Sequence, residues 1–588
     1  MTGGAMTTAA LAPRADLSSP QPLRVAFPIV LEGDLVLSPE HLGPAYLAAV
    51  LRRAGASVVI RDAAVNETAA LVEDFARLRP HVIGLSITTV SIDEIARFGA
   101  AIRAALGPQV LIVAGGPVAT HLGSALLSAP GWEFLDALVR GEGEVPMLRL
   151  CEALHTGSDL GEVPSLCFLR DGALVETPLS AGVGQLDHLP DPVRDQFEQH
   201  ARRFPYLRVS TSRGCTSHCT FCNAPHARNR VGPAAKPWRG ASPARVVDEI
   251  ERLVEAYGVN TFDFVDSTFE DPGGAQFGKR RVAAIANEIL DRDLRIYFNV
   301  CMQAAHWSED DRPLLDLLWR AGLEKVLVGI ESGSQEGLAR WQKKSTTEDN
   351  RRIIRLLRET GAYVAFGFIS FHPWSTFSEI RENSAFLRDM FGHNLRRFTT
   401  RLELYPGAEV IEELRADGLL DETFFRTFNP FSFRYVDERV ERLATALNAI
   451  YGAEYAESCK IHVEPAVFRF ETDDIVLHTF ASRLRRVHGS DPAAAEILDD
   501  FAATVEPLKR EMAQFNFALV SDLTDRAERD DDVMAAAAAL AAPIEAFYGD
   551  RLRAIEAAKL RAGFRLRRKG FDIAGIQTAP PRSEKEIA

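Results

Sequence analysis

Residues 24–30 read RVAFPIV, and similar short apolar runs return as SVVIR (57–61), HVIGLSI (81–87), VLIVAG (110–115) and DALVRG (136–141). Segments with helical spacing of their apolar residues separate these runs. Runs that are apolar throughout indicate strands covered on both faces, and regular alternation of strand and helix indicates a parallel sheet. The sequence therefore predicts an α/β protein whose N-terminal unit is a doubly wound parallel sheet.

A second β/α series extends from about residue 206 to about residue 406. Its strand candidates are YLRVSTS (206–212), TFDFVDS (261–267), RIYFNV (295–300), KVLVGIE (325–331), YVAFGFIS (363–370) and RRFTTRLEL (396–404). Such a series predicts a full or partial β/α barrel, with its chemistry at the carboxyl ends of the strands. Beyond residue 406 the pattern becomes mainly helical, which predicts a helical C-terminal domain.

Composition and turn signals divide the chain into five segments. Residues 1–22 are rich in Ala, Thr, Ser and Pro and are expected to form a disordered tail. The first α/β domain is expected at 23–160, and a hairpin with a Pro-rich linker at 161–200. The barrel is expected at 201–410 and the helical domain at 411–588.

The charge balance of the chain excludes several classes of partner. The 67 Lys and Arg residues against 81 Asp and Glu residues give a net charge of −14. An acidic surface repels phosphate backbones and anionic lipid, so we expect no nucleic-acid and no membrane partner. Neither a bilayer-spanning apolar run nor a signal-peptide pattern is present in the sequence. We expect a cytoplasmic monomer.

Three of the seven cysteines lie within eight residues. Cys215, Cys219 and Cys222 form a C-x3-C-x2-C pattern directly after a predicted strand. Soft thiolates this close together suit an iron–sulfur cluster or zinc. Three thiolates on a cubane cluster leave one iron free for a substrate or cofactor. Zinc would need a fourth ligand, and His218 or His226 could complete a Cys3His site.

This cysteine pattern, with an aromatic residue before the last cysteine, resembles the signature of the radical SAM enzymes. The resemblance implies that Cys215, Cys219 and Cys222 are the catalytic and metal-binding residues and hold a 4Fe–4S cluster. It also implies that the amino and carboxylate groups of S-adenosylmethionine (SAM) chelate the fourth iron. The backbone at Phe221 would contact the adenine of SAM.

The run VLVGIESGS at residues 326–334 resembles the fourth-strand motif of the same family. The resemblance places Glu331 and Ser332 near the ribose and the methionine amine of SAM. A helix-capping carboxylate is the alternative for Glu331. After the fifth strand, FHPWST at 371–376 departs from the glycine-rich turn that is frequent in the family, and we expect a different substrate wall there.

Small residues stand at three expected strand ends of the first unit, in the runs SITT (86–89), AGGPVAT (114–120) and GEGE (141–144). An open parallel sheet binds ligands in the crevice at its carboxyl ends, and glycines let the backbone approach a flat or bulky ligand. A mononucleotide is one candidate. A glycine-rich G-x-G-x-x-G fingerprint does not follow the first strand, so nicotinamide and flavin lack their usual phosphate cradle.

In this position before the cysteines, the first unit resembles the cobalamin-binding domain of the class B radical SAM enzymes. The resemblance covers about residues 24–406. It implies a cobalamin site that contains Ser86, Thr88, Gly115, Gly116, Pro117, Thr120 and Glu142. The D-x-H-x-x-G pattern of a lower axial histidine is absent, so the resemblance implies that no histidine binds cobalt. His121 is expected to be a loop residue facing solvent. A Rossmann-like domain without a cofactor is the alternative.

The two resemblances together imply a cobalamin-dependent radical SAM methyltransferase. Cobalt(I) would take a methyl group from one SAM, and a second SAM would be cleaved to an adenosyl radical that activates the substrate. The substrate carbon would then take the methyl group from methylcobalamin. The expected substrate is a small molecule or peptide from natural-product or antibiotic biosynthesis, and the expected electron donor is flavodoxin or ferredoxin.

Two other functions stay open on the sequence. One is a rearrangement or cyclisation with the same cofactors, and the other is a cobalamin-binding sensor with a degenerate barrel. The intact cysteine triad argues against the sensor. Tyr297, Cys301, His306 and Tyr405 fall near barrel strand ends and could donate protons or hydrogen atoms, although packing explains each of them as well.

A phenylalanine-rich segment follows the barrel. It contains Phe424, Phe425, Phe428, Phe431 and Phe433. These side chains could form a lid over an apolar or peptide-like substrate. Core packing explains them equally well.

Overall fold

The computed structural model describes residues 9–31, 40–64, 67–87, 92–199, 206–224, 236–272, 279–427, 429–461 and 466–573. Within these ranges, strands and helices alternate through the first two thirds of the chain, and helices follow. This order confirms the predicted α/β fold class with a helical C-terminal region. None of the described helices is both long and apolar enough to cross a membrane.

The N-terminal sheet has seven strands. They are β1 (Arg24–Leu31), β2 (Ser57–Ala64), β3 (Val82–Ser86), β4 (Leu111–Gly115), β5 (Ala137–Val139), β6 (Leu166–Arg170) and β7 (Ala173–Glu176). The strand order is β2-β1-β3-β4-β5-β6-β7, with β1 to β5 parallel. The change of direction between β1 and β3 creates a crevice at their carboxyl ends. The predicted hairpin, β6 and β7, extends this sheet in antiparallel pairing.

Helices cover both faces of this sheet. They are α1 (Leu42–Arg53), α2 (Thr68–Leu78), α3 (Ile92–Leu106), α4 (Pro117–Leu122), α5 (Ser124–Leu127), α6 (Glu144–Thr156) and α7 (Asp195–Gln199). Val25 and Phe27 belong to the same core cluster as the buried leucines of α1 and α6. Ala26 belongs to a second cluster with Phe75 of α2 and Phe98 of α3. Successive residues of a strand point to opposite faces, which explains why the strands are apolar throughout.

The second series forms a partial barrel. Its strands are β8 (Leu207–Val209), β11 (Thr261–Phe264), β12 (Tyr297–Gln303), β13 (Leu323–Glu331) and β14 (Tyr363–Phe368), and the two short strands β9 (Ser212–Gly214) and β10 (Trp238–Gly240) pair separately. The five-stranded sheet has the order β14-β13-β12-β11-β8 and is parallel throughout. Its helices are α8 (Pro243–Tyr257), α9 (Arg280–Asp291), α10 (Arg312–Ala321), α11 (Gln335–Arg340), α12 (Thr347–Thr360) and α13 (Phe377–Phe391).

The sixth strand predicted at residues 396–404 is wrong. Leu395–Phe398 form a 3-10 turn instead, and the Asn394 side chain accepts a hydrogen bond from the Arg396 amide at 3.1 Å. A single parallel bridge, Phe371 with Arg401, remains of the expected pairing. A short polar side chain offers the backbone a partner other than a neighbouring strand, which explains the turn.

The disordered tail predicted at residues 1–22 is also wrong for residues 9–22, whereas residues 1–8 lie outside the described residues. Leu11 and Leu17 are buried. A guanidinium nitrogen of Arg149 on α6 donates to the carbonyl of Ala10 at 2.7 Å, and the Arg14 amide donates to Glu152 at 2.6 Å. Two buried leucines and these polar contacts order a segment whose composition resembles a loose tail.

The C-terminal helices cover the edge of the partial barrel. They are α14 (Val410–Ala416), α15 (Phe424–Thr427), α16 (Glu438–Ile461), α17 (Ala466–His488), α18 (Pro492–Glu528) and α19 (Val533–Arg568). The Tyr363 hydroxyl at the start of the edge strand β14 donates to Asp474 of α17 at 3.3 Å. Ser482 of α17 donates to the carbonyl of Gly361 at 3.2 Å. An exposed strand edge is thereby protected.

A buried ion triad joins the N-terminal unit, the linker and the barrel. Arg194 of the linker donates to Glu40, which precedes α1, at 2.6 Å, and to Glu249 of α8 at 2.7 Å. All three side chains are almost inaccessible to solvent. Burial of these charges is tolerated because each carboxylate faces the same guanidinium.

We expect Arg194→Met to destabilise the protein by about 3–5 kcal/mol, because the buried carboxylates of Glu40 and Glu249 would both lose the guanidinium nearest to them. Chemical denaturation followed by circular dichroism measures the change. Arg77→Met removes the exposed pair with Asp74 and should change the unfolding free energy by less than about 1 kcal/mol. Equal effects of the two variants would contradict the assigned role of the triad.

Candidate functional site

The cysteine loop begins directly after β9. Gly214, the residue before Cys215, has a φ of 93°, and a Cβ there would lie 2.1 Å from the carbonyl oxygen of Pro237. Only glycine fits a backbone of this shape at this distance from its partner strand. The pairing of β9 with β10 therefore fixes the point at which the loop leaves the barrel.

Contacts with neighbouring elements hold the loop in place. The Thr220 amide donates to the carbonyl of Trp341 at 3.3 Å, and the Val410 amide donates to the carbonyl of Thr220 at 2.9 Å. Phe221 packs edge-on against Trp341, with the ring centroids 5.8 Å apart. On another side, Gln303 of β12 donates to the sulfur of Cys215 at 3.6 Å. Contacts with the surrounding elements therefore fix the conformation of the cysteine loop.

The three cysteine thiols lie close enough to influence one another. Burial raises the pKa of Cys219 to about 11 and also raises the pKa of Cys222, and charges on the other thiols act in the same direction. Lys343 acts against these effects because its positive charge favours a thiolate. The groups predicted as metal ligands are therefore together in a partly buried loop.

The arrangement fits a cluster with several irons. In the described part of the chain, no three Cys, His, Asp or Glu side chains meet as the ligands of one metal ion. Each thiolate of a cubane binds a different iron, so a cubane does not require such convergence. His218 is exposed, and His226 lies outside the described residues.

A cavity of about 510 Å³, here called the barrel cavity, borders the loop at Phe221 and reaches Glu331 at the end of β13. Glu331 has a φ of 63°. A Cβ at Gly329 or at Gly367 would lie only 3.0 or 2.9 Å from its carboxylate oxygens. The two glycines thus make room for this carboxylate. Burial raises its pKa, and Lys343, with its nitrogen 3.6 Å away, opposes the shift.

The other predicted SAM contact, Ser332, is not among the described residues that border this cavity. Ser332 is buried, and its hydroxyl donates to Asn383 at 3.0 Å and accepts from the Ser334 amide at 3.1 Å. Its hydroxyl therefore shapes the turn after β13. The predicted proximity to the methionine amine stays a prediction.

The segment FHPWST at 371–376 packs against Trp341 behind the cysteine loop, and the substrate wall expected there stays a prediction. His372 is buried, and its Nε2 lies 3.0 Å from Glu379. The ring of His372 packs edge-on against Trp341, with centroids 5.1 Å apart. The segment supports Trp341, which in turn supports Phe221.

A second cavity, of about 330 Å³, lies at the carboxyl ends of the first sheet and is here called the sheet cavity. Its walls combine residues of both domains, including Gly43, Pro44, Ser86, Gly115, Gly116, Ser210, Arg213 and Val265. A Cβ on Gly115 would meet only the Val139 carbonyl, at 3.9 Å, so the missing side chain leaves space. Gly116 has a φ of 93°, where a side chain is strained. A flat ligand fits such a cradle.

A third cavity, of about 390 Å³, connects this cradle with the cysteine loop and is here called the bridging cavity. It shares Gly116 and Glu142 with the sheet cavity and is also bordered by Asn223, the residue after Cys222. Pro117 and Thr120 line it as well. The predicted ligand sites of the two domains thus face one common space.

The structure gives Glu142 a role that the sequence did not indicate. Its carboxylate accepts from Arg239 and from the Val183 amide at 3.1 Å, and lies 3.6 Å from Arg213. Burial alone would raise the pKa of Glu142, but the two arginines outweigh burial and hold it below its usual value. Glu142 thus pairs with the barrel, and its predicted contact with cobalamin stays a prediction.

His121 is not the solvent-facing loop residue that the sequence predicted. It lies on α4 and borders the bridging cavity. A Cβ on Gly407 would lie 1.9 Å from its Nδ1, so the ring rests directly on that backbone. Thr120 also lies on α4, where its hydroxyl accepts from the Gly141 amide at 3.0 Å. Thr88 lies outside the described residues.

The candidate proton donors differ in position. Tyr405 borders the barrel cavity and donates to Glu403, while burial raises its pKa. Tyr297 begins β12 and stacks under Arg483 of α17 at 3.8 Å. Since Tyr297 lies at the amino end of its strand, it is far from the carboxyl edge where barrel chemistry occurs.

The other two candidates are held in polar or buried surroundings. His306 Nδ1 lies 2.9 Å from Glu270, which also accepts from the Gln303 amide at 2.8 Å. Burial raises the pKa of the Cys301 thiol to about 12. A hydrogen-bonded histidine and a neutral buried thiol are consistent with packing roles.

Comparison with known proteins assigns both domains. A B12 binding domain model matches residues 34–150, and a radical SAM superfamily model matches residues 209–387. An uncharacterized methyltransferase of Pyrococcus horikoshii is 27% identical over 64% of this chain and 79% of its own length. The anaerobic magnesium-protoporphyrin IX monomethyl ester cyclase of Rubrivivax gelatinosus is 30% identical over 59% of this chain and 61% of its own length.

A solved structure shows the same fold. The cobalamin-dependent SAM radical enzyme OxsB, with aqua-cobalamin and SAM bound, superposes with a TM-score of 0.61 over 90% of this chain and 84% of that chain, at 17% identity. The cofactor set typical of such proteins is cobalamin, SAM and a 4Fe–4S cluster. The glycine cradle and the thiol loop are suited to two members of this set.

We expect Gly115→Leu to lose most of its bound cobalamin and to keep its iron, because the new side chain would fill the cradle without touching the cysteine loop. Corrinoid absorbance and iron content of anaerobically reconstituted protein measure the two effects. Gly549→Ala, on α19, provides the control and should retain both groups. If Gly115→Leu binds as much cobalamin as the wild type, the cofactor does not bind in this glycine cradle.

Proposed function

We propose that this chain, a member of the cobalamin-dependent radical SAM family, transfers a methyl group from SAM to a carbon of a natural-product or peptide intermediate. The bridging cavity is the observation that carries the proposal. It puts the glycine turn after β4 and the cysteine loop on one common space. A methyl group could pass from one side to the other without leaving the protein.

The candidate site residues of this chain would hold three cofactors: the cluster, SAM and cobalamin. Cys215, Cys219 and Cys222 would hold the cluster, and Phe221 and Glu331 would border SAM. The cobalamin cradle would consist of Ser86, Gly115, Gly116, Pro117 and Thr120. When bound, these groups supply a cobalt-carried methyl group and reductive cleavage of SAM. An external flavodoxin or ferredoxin would deliver the electrons.

The protein contributes the relative orientation of the two cofactor sites. Arg213 immediately precedes the glycine before Cys215 and pairs with Glu144 of α6 at 2.7 Å. It therefore fixes the cysteine loop relative to the first domain. Holding two reacting groups in one geometry removes much of the entropic barrier between them.

A non-methylating rearrangement or cyclisation is the second candidate, because one of the relatives is a cyclase. The two candidates differ in the fate of SAM. Methyl transfer produces S-adenosylhomocysteine as well as 5′-deoxyadenosine and methionine, whereas a rearrangement produces no S-adenosylhomocysteine. A cobalamin-binding sensor produces none of the three.

We expect the reconstituted enzyme, with reductant and SAM, to form S-adenosylhomocysteine, 5′-deoxyadenosine and methionine. Anaerobic assays with mass-spectrometric quantification measure all three. Formation of 5′-deoxyadenosine without S-adenosylhomocysteine in the presence of bound cobalamin would favour the rearrangement. Absence of all three products would favour the sensor.

Cys222→Ala should reduce 5′-deoxyadenosine to background, because the cluster would lose one of its three thiolates. It should also abolish methylation of the substrate. Cys167→Ala changes a buried cysteine of β6 and should leave the products unchanged. Reductive cleavage that survives in Cys222→Ala would rule out the assigned cluster site.

A further inference from the structure

We propose that the barrel cavity binds its substrate through an anionic group, a phosphate or a carboxylate, at Arg401. This inference rests on the proposed function, since it names the substrate class of the same site. Arg401 borders the cavity beside Arg396 and Arg397, and these three residues mark one end of it. They are called the arginine end below.

The charge of this end is opposite to that of the whole chain. The protein carries a net charge of −14, yet its cavity wall contains three guanidinium groups against two carboxylates, Glu331 and Glu403. Both carboxylates have partners of their own. Glu331 faces Lys343 at 3.6 Å, and Glu403 accepts from the Tyr405 hydroxyl.

Arg401 is held in position to receive such a group. Its guanidinium lies 4.1 Å from the ring centroid of Phe431, and its backbone bridges to Phe371. The next residue, Leu402, donates its amide to the Phe371 carbonyl at 2.8 Å. Among the described residues, no carboxylate lies within ion-pair distance of Arg401. A planar guanidinium fixed on an aromatic ring loses little entropy when it binds a phosphate or carboxylate.

A hydroxyl close to Arg401 is also without a partner. Tyr435 Oη is buried, and in the described part of the chain it makes no hydrogen bond. The charge of Arg401 partly offsets the increase in the pKa of this hydroxyl caused by burial, so the two groups are near each other. A buried hydroxyl without a partner is costly.

The position of the arginines favours the substrate over SAM as the source of the anion. Phe221, on the cysteine loop, and Glu331 border the cavity on the side where SAM is expected. Phe431 and Asn448 border the same cavity and come from the segments after the barrel. The carboxylate of SAM is expected at the cluster, beside Phe221. A group held at Phe431 and Arg401 would belong to a second molecule.

The test uses holoenzyme saturated with SAM and inorganic pyrophosphate as the probe, titrated calorimetrically. We expect wild-type protein to bind pyrophosphate and Arg401→Met to weaken it at least about tenfold. Methionine keeps an unbranched stem on Phe431 and removes the charge. Arg401→Lys keeps the charge and should bind with intermediate affinity. The affinity for SAM should be the same in all three proteins.

Arg415→Met is the matched control, because Arg415 stacks on Phe425 at 5.0 Å outside the cavity. It should bind pyrophosphate like the wild type. The inference would be overturned if wild-type holoenzyme does not bind pyrophosphate, or if Arg401→Met binds it unchanged. Weaker SAM binding in Arg401→Met would assign the arginines to the SAM carboxylate instead. None of these titrations requires turnover, so they stand apart from the product assay of the proposed function.

Discussion

The pairing of two arginines with two glutamates holds the two halves of the site together. Arg213 and Arg239 lie opposite each other on β9 and β10, and they meet Glu142 and Glu144 at the start of α6. Arg213 also lies over the ring of Tyr46 on α1 at 5.1 Å. Because buried ion pairs are favourable only with good geometry, these pairs favour one relative orientation of the two domains. The sheet and bridging cavities both depend on that relation.

Most of the fold could be predicted because its strands are specified locally. Apolar runs of β-branched residues are strongly typical of strands covered on both faces, and the five of the first domain and five of the barrel were found in this way. The strand prediction for residues 396–404 failed for a local reason. The threonines and leucines of this run suit a strand, but Asn394 just before it favours a turn. The prediction of a disordered tail failed for residues 9–22 because two buried leucines anchor this segment, and two apolar residues are too few to stand out in its composition.

The site could be predicted only where its residues are neighbours in sequence. The cysteines and the glycine turns form short patterns, so spacing alone identified them. Glu142 and Arg239 are 97 positions apart, and nothing in either segment indicates that they form a pair. Nothing in the sequence indicates either that Trp341 and Lys343, which follow β13, support the cysteine loop. The arginine end was missed because its residues were read as part of a strand.

The burial of Cys219 and Cys222 also affects how the protein matures. At neutral pH a thiol with a pKa of about 11 keeps its hydrogen, so the empty loop is uncharged at Cys219. Taking up iron and sulfide must therefore release hydrogen ions into solution, since only thiolates bind iron. A lower pH would then disfavour binding of iron by these thiols, and a higher pH would favour it. The nearby ammonium of Lys343 eases this exchange, which gives a residue outside the ligand set a part in assembling the cofactor.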